Sequence, residues 1–391
     1  MEMKMSKQEI LEMYRNFSAK FSNKLLYKLV DSKGNDNIAI SPSRLQNVLV
    51  LVANWASPQI RKTILEGIGS EVMEMDEANV LCNKEHLYLT SWKEGDGDYI
   101  PTIETNTFLW MKKGLELKED GLSSVSSDFD VALREVDFSQ PETKDIINQA
   151  INEASHGLIK EINSDIQPLT QMLLTDILYF KAKWDERFYE EDTAERIFYG
   201  TKGKEKVPMM RKTDALMYSE TQTCQVVQLR YMCMSKQDKC FTMRIYLPKE
   251  KCSIPEVLQE LWNSEFYFDM TEEEVKLTLP KFTIKSNVDM KQVLRQIGLE
   301  CIFETADIVP GLVNDVRIDN ISQQVKIKVD ENETEAAALT EMCVAMGPPP
   351  TEIKEPVVVN VNRPFMFEIA EEYSNTILFT GIINNIGNEA V

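Results

Sequence analysis

Hydrophobic positions recur at helical spacing through much of the first half of the chain. Over residues 10–29 they lie three or four positions apart, which predicts one long amphipathic helix. The segment 38–56 opens with a short apolar run, meets Pro42, and then predicts a second helix that begins near Ser43. Residues 145–161 return to helical spacing and predict a further helix.

Strand-like patterns dominate the second half. The nearly continuous apolar run at residues 173–184 predicts a buried strand. Later segments alternate apolar and polar residues between polar turns, which predicts antiparallel strands. They are residues 275–285, 323–329, 355–370 and 375–383. Because no repeat or low-complexity linker separates the two halves, residues 1–391 are predicted to form a single α+β domain.

The charge balance narrows the range of functions. The 391 residues include 63 acidic and 43 basic ones, and the net charge of -20 opposes binding to nucleic acid and to anionic membranes. We therefore expect neither as a partner. The sequence contains no apolar stretch of about 20 residues, and its N-terminal residues lack the apolar core of a signal peptide. These features predict a cytoplasmic location, with an extracellular one as the alternative, because an export signal is removed on processing.

Candidate catalytic and metal-binding groups are sparse. The seven cysteines show no CxxC spacing, in a chain with only two histidines, which indicates free thiols. His86 stands alone, and His156 lies at the end of a predicted helix without a partner for nucleophilic catalysis. The glycines of GTKGK at 200–204 lack phosphate-loop spacing, and the consecutive acids at 272–274 are typical of a solvated turn. The sequence therefore predicts no enzyme, no catalytic residue, no metal site and no cofactor.

The segment 330–356 suits neither a helix nor an ordinary strand. It reads DENETEAAALTEMCVAMGPPPTEIKEP, and its three alanines lead into a glycine and three prolines. As a strand, its side chains would alternate between two faces. One face would carry Thr334, Ala336, Ala338 and Thr340, continued by Met342, Val344 and Met346. The other face would carry Glu333, Glu335, Leu339 and Glu341. The first face begins with small side chains that fit between existing strands over a packed core, while the charged face suits solvent.

A series of motifs, in sequence order from the first helix to Asn385, resembles the serpin family. The motifs are NIAISP at 37–42, VDF at 136–138, ILYFKAKW at 177–184, VPMM at 207–210, LPKF at 279–282, NRPFMF at 362–367 and ILFTG at 377–381. The resemblance implies the serpin fold, with three β-sheets, about eight or nine helices and an exposed reactive-centre loop at about residues 331–360. It also implies a monomer.

The same resemblance implies a serine protease inhibitor that acts as a suicide substrate. In this family a protease cuts the loop, and the hinge of the loop then inserts as a new strand of the main sheet and traps the acyl-enzyme. The implied hinge comprises Glu333, Thr334, Glu335, Ala336, Ala337, Ala338, Leu339 and Thr340. Elastase-like and chymotrypsin-like proteases are the favoured targets, while trypsin-like serine proteases and cysteine proteases stay open. A non-inhibitory serpin, serving as a carrier, chaperone or cleavable substrate, is the alternative function.

Two counts along the loop place the cleaved bond differently. Counting from the hinge threonine places it near Met346 and Gly347, whereas counting back from Pro364 places it near Lys354. The candidate residues are Val344, Ala345, Met346, Gly347 and Lys354. The prolines at 348–350 cannot join a central strand, so a cut at Lys354 would leave a tether that inserts incompletely. We therefore predict that inhibitory cleavage occurs at residues 344–346 and that trypsin-like enzymes cut at Lys354 and leave.

Several positions that control opening of the main sheet in this family depart from its usual pattern. The corresponding residues here, which form the shutter and the breach, are Ser41, Pro42, Arg44, Asp176, Trp184 and Gln323. Gln323 replaces a histidine, Asp176 an asparagine and Arg44 a small hydroxyl residue. We expect Gln323 to donate a hydrogen bond to Asp176 and Arg44 to balance its charge. Glu333 replaces the usual glycine and Leu339 a small residue, and the loss of glycine's backbone freedom predicts slower insertion.

Overall fold

The computed structural model describes most of the chain and leaves the greater part of the loop undescribed. The described residues are 19–31, 34–69, 75–80, 82, 101–116, 118, 119, 121, 129, 131–162, 166–233, 240–263, 269–305, 308–313, 316, 318, 321–334, 355–372 and 374–387.

The described helices are α1 (residues 19–31), α2 (Pro42–Trp55), α3 (Pro58–Gly67), α4 (residues 75–80), α5 (Glu142–Ala154), α6 (Ile254–Asn263), α7 (Met290–Gln296) and α8 (Cys301–Glu304). Three of them, α1, α2 and α5, lie where the hydrophobic periodicity predicts them, and the predicted residues 10–18 of the first lie outside the described residues. Helix α2 begins one residue before the predicted start, because Pro42 has the fixed φ that suits a first helical turn. Helix α5 confirms the helix predicted over residues 145–161. It ends earlier than predicted because His156 and Gly157 take left-handed backbone angles, with φ of 50° and 82°.

The strands form three sheets, which confirms the predicted α+β class. The strands are β1 (Ile38–Ile40), β2 (Thr102–Lys112), β3 (Val131–Val136), β4 (Met172–Lys183), β5 (Ala194–Gly200), β6 (Gly203–Glu220), β7 (Cys224–Arg230), β8 (Phe241–Pro248), β9 (Thr271–Pro280), β10 (Phe282–Asp289), β11 (Ser322–Val329), β12 (Glu333–Thr334), β13 (Val357–Asn360), β14 (Phe365–Glu371) and β15 (Ile377–Ile383). Nine strands form one sheet in the order β1-β15-β14-β8-β7-β6-β9-β13, with β5 beside β6. The second sheet has the order β12-β4-β2-β3, and β10 pairs with β11 in the third.

Two predicted strand segments each divide in two at a proline. Residues 275–285 span β9, which ends at Pro280, and β10, which begins at Phe282. These two strands belong to different sheets. Residues 355–370 likewise divide into β13 and β14, with Pro364 in the junction. Proline has no N–H to donate to a sheet ladder. The backbone of each segment therefore changes direction at a position where the alternation alone predicts one continuous strand.

Helix α2 lies at the centre of the fold. All of its residues except Asn54 are buried. A helix that is buried around its whole circumference belongs between layers rather than on a surface. Its polar residues Arg44, Gln46 and Asn47 are buried too, so their side chains need partners inside the protein.

Strand β4 forms at the predicted position, residues 173–184, and packs on both faces, although within it only Ile177, Tyr179, Phe180 and Ala182 are fully buried. On the face that we call outer, Ile177 packs with Ile147 and Ile151 of α5. On the opposite, inner face, Phe180 and Ala182 join the large cluster that fills the space between the sheets. The alternation between the two clusters assigns each side chain of β4 to one face.

A buried acid lies in the middle of the nine-stranded sheet. Glu368 on β14 is 4% exposed, accepts a hydrogen bond from the Tyr246 hydroxyl at 2.6 Å, and has Arg244 at 3.9 Å. Burial raises the pKa of the Glu368 carboxyl above its ordinary value, and the charge of Arg244 and the Tyr246 hydrogen bond oppose that rise. The ionised form of Glu368 therefore costs the folded state stability at neutral pH.

Candidate functional site

Strands β4 and β11 border each other along a boundary that we call the seam. Strand β11 contacts both β4 and β12, yet no ladder joins β4 to β11 among the described residues. The short strand β12 instead pairs antiparallel with the end of β4, with Glu333 opposite Lys183 and Thr334 opposite Ala182. The first two hinge residues therefore extend the ladder of β4.

The turn before β12 is anchored through Glu331. The ammonium of Lys281 lies 2.8 Å from the Glu331 carboxylate, and the Thr193 hydroxyl donates to the same carboxylate at 2.9 Å. The backbone N–H of Phe188 donates to the Glu331 carbonyl at 3.0 Å. Glu331 is only 4% exposed, so these partners supply the pairing that a buried carboxylate requires. They fix the point from which the hinge departs.

Trp184 holds the same end of the seam. Its indole N–H donates to the Asp330 carbonyl at 2.9 Å, and its backbone N–H donates to the Asn332 carbonyl at 3.1 Å. Its ring stacks on Tyr231, with centroids 4.6 Å apart and planes inclined by 11°. Trp184, a predicted breach residue, thus contacts the turn before the hinge through both its own backbone and its own side chain.

Arg44 and Asp176 form a buried ion pair between α2 and the middle of β4. The Nε of Arg44 donates to Oδ2 of Asp176 at 2.8 Å, and Nη2 of Arg44 donates to Oδ1 of Asp176. Thr107 on β2 completes the cluster, since it accepts from Arg44 Nη2 at 3.0 Å and donates to Asp176 Oδ1 at 2.7 Å. The two charged side chains are 8% and 7% exposed. The expected charge balance is confirmed, and it ties one helix to two strands.

Gln323 has a different partner from the one predicted. Its amide Nε2 donates to the Ser41 carbonyl at 2.9 Å, and its Oε1 accepts from the Ser41 N–H at 2.7 Å. The expected bond to Asp176 was wrong because Arg44 and Thr107 already occupy that carboxylate. The Ser41 N–H, at the start of α2, lacks an intrahelical acceptor and provides a free donor. Gln323 therefore joins β11 to the residue that precedes Pro42.

The hydroxyls of Ser41 and Ser43 and the amide oxygen of Asn47 are buried near the start of α2 and have no hydrogen-bond partner among the described residues.

The rest of the predicted loop site lies outside the described residues. This applies to the hinge residues Glu335, Ala336, Ala337, Ala338, Leu339 and Thr340, and to the cleavage candidates Val344, Ala345, Met346, Gly347 and Lys354. Within the described ranges no group of histidine, cysteine and acidic residues is arranged to hold a metal ion. None of the described helices is long and apolar enough to cross a membrane. The cysteines that the structure describes are free thiols.

The anchor of the hinge carries no local signal in the sequence. Glu331 lies in the unusual segment and Lys281 lies in the LPKF motif, but neither residue has a local pattern that points to the other. Thr193 is 138 residues from Glu331 in sequence. The one available signal is an acid next to an insertable segment, which has to be held by distant partners if it is buried.

Comparisons with known proteins agree over nearly the whole chain. A family model described as Serpin (serine protease inhibitor) matches residues 16–386. An uncharacterized serpin-like protein of Thermococcus kodakarensis is 30% identical over 375 residues, which cover 92% of this chain and 83% of that protein. Plasminogen activator inhibitor 1 of Mus musculus is 24% identical over 372 residues, covering 92% of this chain and 90% of that protein. Human thyroxine-binding globulin, solved in complex with thyroxine, superimposes with a TM-score of 0.82 at 23% identity, covering 97% of this chain and 100% of that chain.

Proposed function

Because the chain belongs to the serpin family, we propose that it inhibits serine proteases as a suicide substrate whose cut loop inserts into the seam. The protease serine attacks the carbonyl carbon of the loop, the peptide C–N bond breaks, and the new amine leaves protonated on the C-terminal fragment. The acyl-enzyme ester persists because insertion of the cut loop moves the attached protease before water hydrolyses that ester. The observation that carries the proposal is the pairing of Glu333 and Thr334 with the end of β4.

The register of that pairing supports the predicted faces of the loop. If it continues, each further loop residue pairs one residue earlier on β4, which puts Ala338 opposite Leu178 and Leu339 opposite Ile177. Leu178 packs against the inner cluster, where a small neighbour fits without overpacking. Ile177 belongs to the apolar cluster beneath α5, which suits the leucine that replaces a small residue.

The length of β4 supports cleavage at residues 344–346. Strand β4 begins at Met172, which meets Val344 in the same register. Insertion up to that point adds about ten ladder hydrogen bonds at about 1 kcal/mol each, comparable to the stability of a whole domain. A cut at Lys354 would leave the prolines at 348–350 between the protease and the end of the strand.

The residues at the predicted cleavage site favour elastase-like and chymotrypsin-like targets. Val344, Ala345 and Met346 are small or apolar and suit the specificity pockets of such enzymes. Lys354 suits a trypsin-like pocket, so trypsin-like enzymes are expected to cleave there as at an ordinary substrate.

A cavity of about 420 Å³ favours the alternative, a non-inhibitory carrier. It lies beside the start of α6, and its lining includes the apolar Ile38, Ile254 and Ile382 together with the charged Lys249, Glu250 and Arg363. Such a lining suits a small amphiphilic ligand. The likeness to thyroxine-binding globulin adds only the shared fold to this argument.

Incubation with elastase, chymotrypsin, trypsin and papain, followed by denaturing electrophoresis, tests the inhibitory function. Elastase and chymotrypsin should give a covalent band, and trypsin mostly cleaved inhibitor and free enzyme. Protease blocked beforehand at its catalytic serine is the control and should give no band. Clean cleavage by every enzyme, without a covalent band, would refute inhibition and favour the carrier.

A further inference from the structure

The cavity of about 420 Å³ lies where one end of the nine-stranded sheet meets the start of α6. Its apolar wall includes Ile38 at the start of β1, Ile382 near the end of β15 and Ile254 at the start of α6, and all three are buried. Small-molecule sites commonly have volumes of about 300–1,000 Å³ and a mostly apolar lining. The cavity therefore has the size and the apolar wall of a site for a small ligand.

The charged side chains of the cavity differ in how far their charges are compensated. Lys249 forms an ion pair with Glu220, whose Oε1 lies 2.8 Å from the lysine Nζ. Glu250 is exposed, so water screens its charge. Arg363 is half-buried and forms no ion pair among the residues that the structure describes. Of these three lining residues, Arg363 is the one that is both partly shielded from water and without an ionic partner there.

The guanidinium of Arg363 is held in place and keeps donors available. Its Nε and Nη2 donate to the Pro248 carbonyl at 3.0 and 2.6 Å, while its Nη1 has a long contact of 3.4 Å with Oδ1 of Asn362. Arginine carries five N–H donors, so these contacts leave some of them unused. Burial lowers the pKa of the guanidinium, and the charge of Glu250 opposes that effect. A ligand group that accepts hydrogen bonds would meet a donor already fixed in position, which lowers the entropy lost on binding.

We propose that the cavity binds a small amphiphile whose hydrogen-bond-accepting head contacts Arg363 and whose apolar body packs against the three isoleucines. Carboxylates and neutral carbonyl groups both accept from a guanidinium, and the charge of Glu250 reduces the advantage of the carboxylate. A cationic head meets the like charge of Arg363. The inference rests on the cavity that favours the carrier alternative and goes beyond that alternative by naming the ligand chemistry. It does not require that inhibition is absent.

Three probes of equal length test the preference for the head group. Octanoate, octanamide and octylamine carry an anionic, a neutral and a cationic head on the same apolar chain. Octanoate and octanamide should each raise the melting temperature of the full chain, because a ligand that binds the folded protein stabilises it. Calorimetric titration should give octylamine a Kd about tenfold higher, the effect of one hydrogen bond to a charged group. Octylamine that binds as tightly as octanoate, or three probes that leave the melting temperature unchanged, would overturn the proposal.

The thiol of Cys252 reports whether a probe occupies this cavity. It is free, half-buried and part of the lining, whereas Cys301 is a free, half-buried thiol on α8 outside the lining. Alkylation with iodoacetamide followed by peptide mass spectrometry measures both thiols in one sample. Saturating octanoate should slow the alkylation of Cys252 several-fold and leave that of Cys301 unchanged. Octanoate that binds by calorimetry without protecting Cys252 would lie elsewhere, which would refute the proposed site.

Two matched valine substitutions test the space for the apolar body. Val30→Phe adds a ring at the lining of the cavity. Val80→Phe is the control, since Val80 is 46% exposed on α4 and lies outside the lining. Val30→Phe should raise the Kd of octanoate and octanamide about tenfold, because the ring takes space that the ligand needs. The control should keep the parent Kd, and parent-like binding by Val30→Phe would contradict the proposal.

Two charge substitutions test the contact with the head. Arg363→Gln should raise the Kd of octanoate about tenfold and that of octanamide less, because the glutamine amide still donates to a neutral carbonyl. Glu250→Gln changes an exposed residue and should lower the Kd of octanoate alone, about two- to fivefold. An octanoate Kd that stays at the parent value in both variants would rule out the contact with Arg363.

The covalent-complex assay with elastase distinguishes the failure of this proposal from the failure of the proposed function. A parent that forms the complex but binds no octanoate keeps inhibition and loses the ligand site. A parent that binds octanoate with protection of Cys252 but forms no complex keeps the ligand site and loses inhibition. Both results together support both functions in one chain, and neither result overturns both.

Discussion

Replacing Ala338 by arginine places a long cation on the inner face of the inserting strand. If the register of Glu333 and Thr334 continues during insertion, residue 338 comes to lie opposite Leu178 and next to Phe180, which belongs to the inner cluster. At the next level of that face, the carboxylate of Asp176 is already occupied by Arg44. The new guanidinium therefore enters an apolar space without a partner.

The expected loss is large compared with the energy that drives insertion. An unpaired buried charge costs several kcal/mol, whereas the whole ladder supplies on the order of 10 kcal/mol. If about 3 kcal/mol of that cost is present in the transition state, insertion slows by roughly a hundredfold. Hydrolysis of the acyl-enzyme is unchanged, so most encounters should end in cleaved inhibitor and free protease.

Denaturing electrophoresis with elastase or chymotrypsin measures the outcome. Ala338→Arg should be cut at the parent rate but should give little covalent complex. Ala337→Arg is the matched control: in the continued register residue 337 would fall opposite Tyr179 on the outer face, beside the half-exposed His156, and the variant should keep most of the trapping. Efficient trapping by Ala338→Arg, or loss of trapping in Ala337→Arg alone, would show that the two faces are assigned the wrong way round.

Mass spectrometry of the C-terminal fragment released from a stable complex should give a new N-terminus just after one of residues 344–346, whereas a fragment starting at Glu355 would make the preceding lysine the inhibitory residue. Arg44→Ser should lower the free energy of unfolding in urea by about 3–5 kcal/mol, because it leaves Asp176 buried and unpaired. Adding Asp176→Asn should recover most of that loss, and no recovery would contradict the pairing. Glu368→Gln should raise the melting temperature at pH 7, because burial raises the pKa of Glu368 in the folded state and its ionised form costs stability above that pKa. The gain should fade towards about pH 3, where the carboxyl is protonated in both states, and a gain that is the same at both pH values would contradict this reasoning.

The parts of the fold that sequence analysis predicted depend on local pattern. Pro42 sets the start of α2 because its φ suits a first turn. The apolar run of β4 predicts a strand that packs on both faces, and side chains of β4 join clusters on both faces. The ion pair of Arg44 with Asp176 was also predictable, since two departures of opposite charge occur in a cluster that has to stay neutral when buried.

The contacts that could not be predicted from the sequence involve residues far apart in the chain. In each case the partner depends on which polar groups remain without a partner once others have paired. Gln323 bonds to the Ser41 backbone because Asp176 is already satisfied, and no property of Gln323 itself reveals that order. The anchoring of Glu331 by Lys281 and Thr193 likewise depends on three separate elements meeting at one point. Alternation also fails at Lys281, where one pattern covers two strands of different sheets.

The position of Trp184 makes its fluorescence sensitive to the formation of a strand beside β4. The indole is 2% exposed, stacks on Tyr231, and donates its N–H to the Asp330 carbonyl next to the departing hinge. A strand that forms beside β4 changes the electric field and the hydrogen bond at that indole while its stacking partner stays in place. The emission of this tryptophan should therefore shift as the strand forms, so stopped-flow fluorescence would time the event in the unlabelled protein.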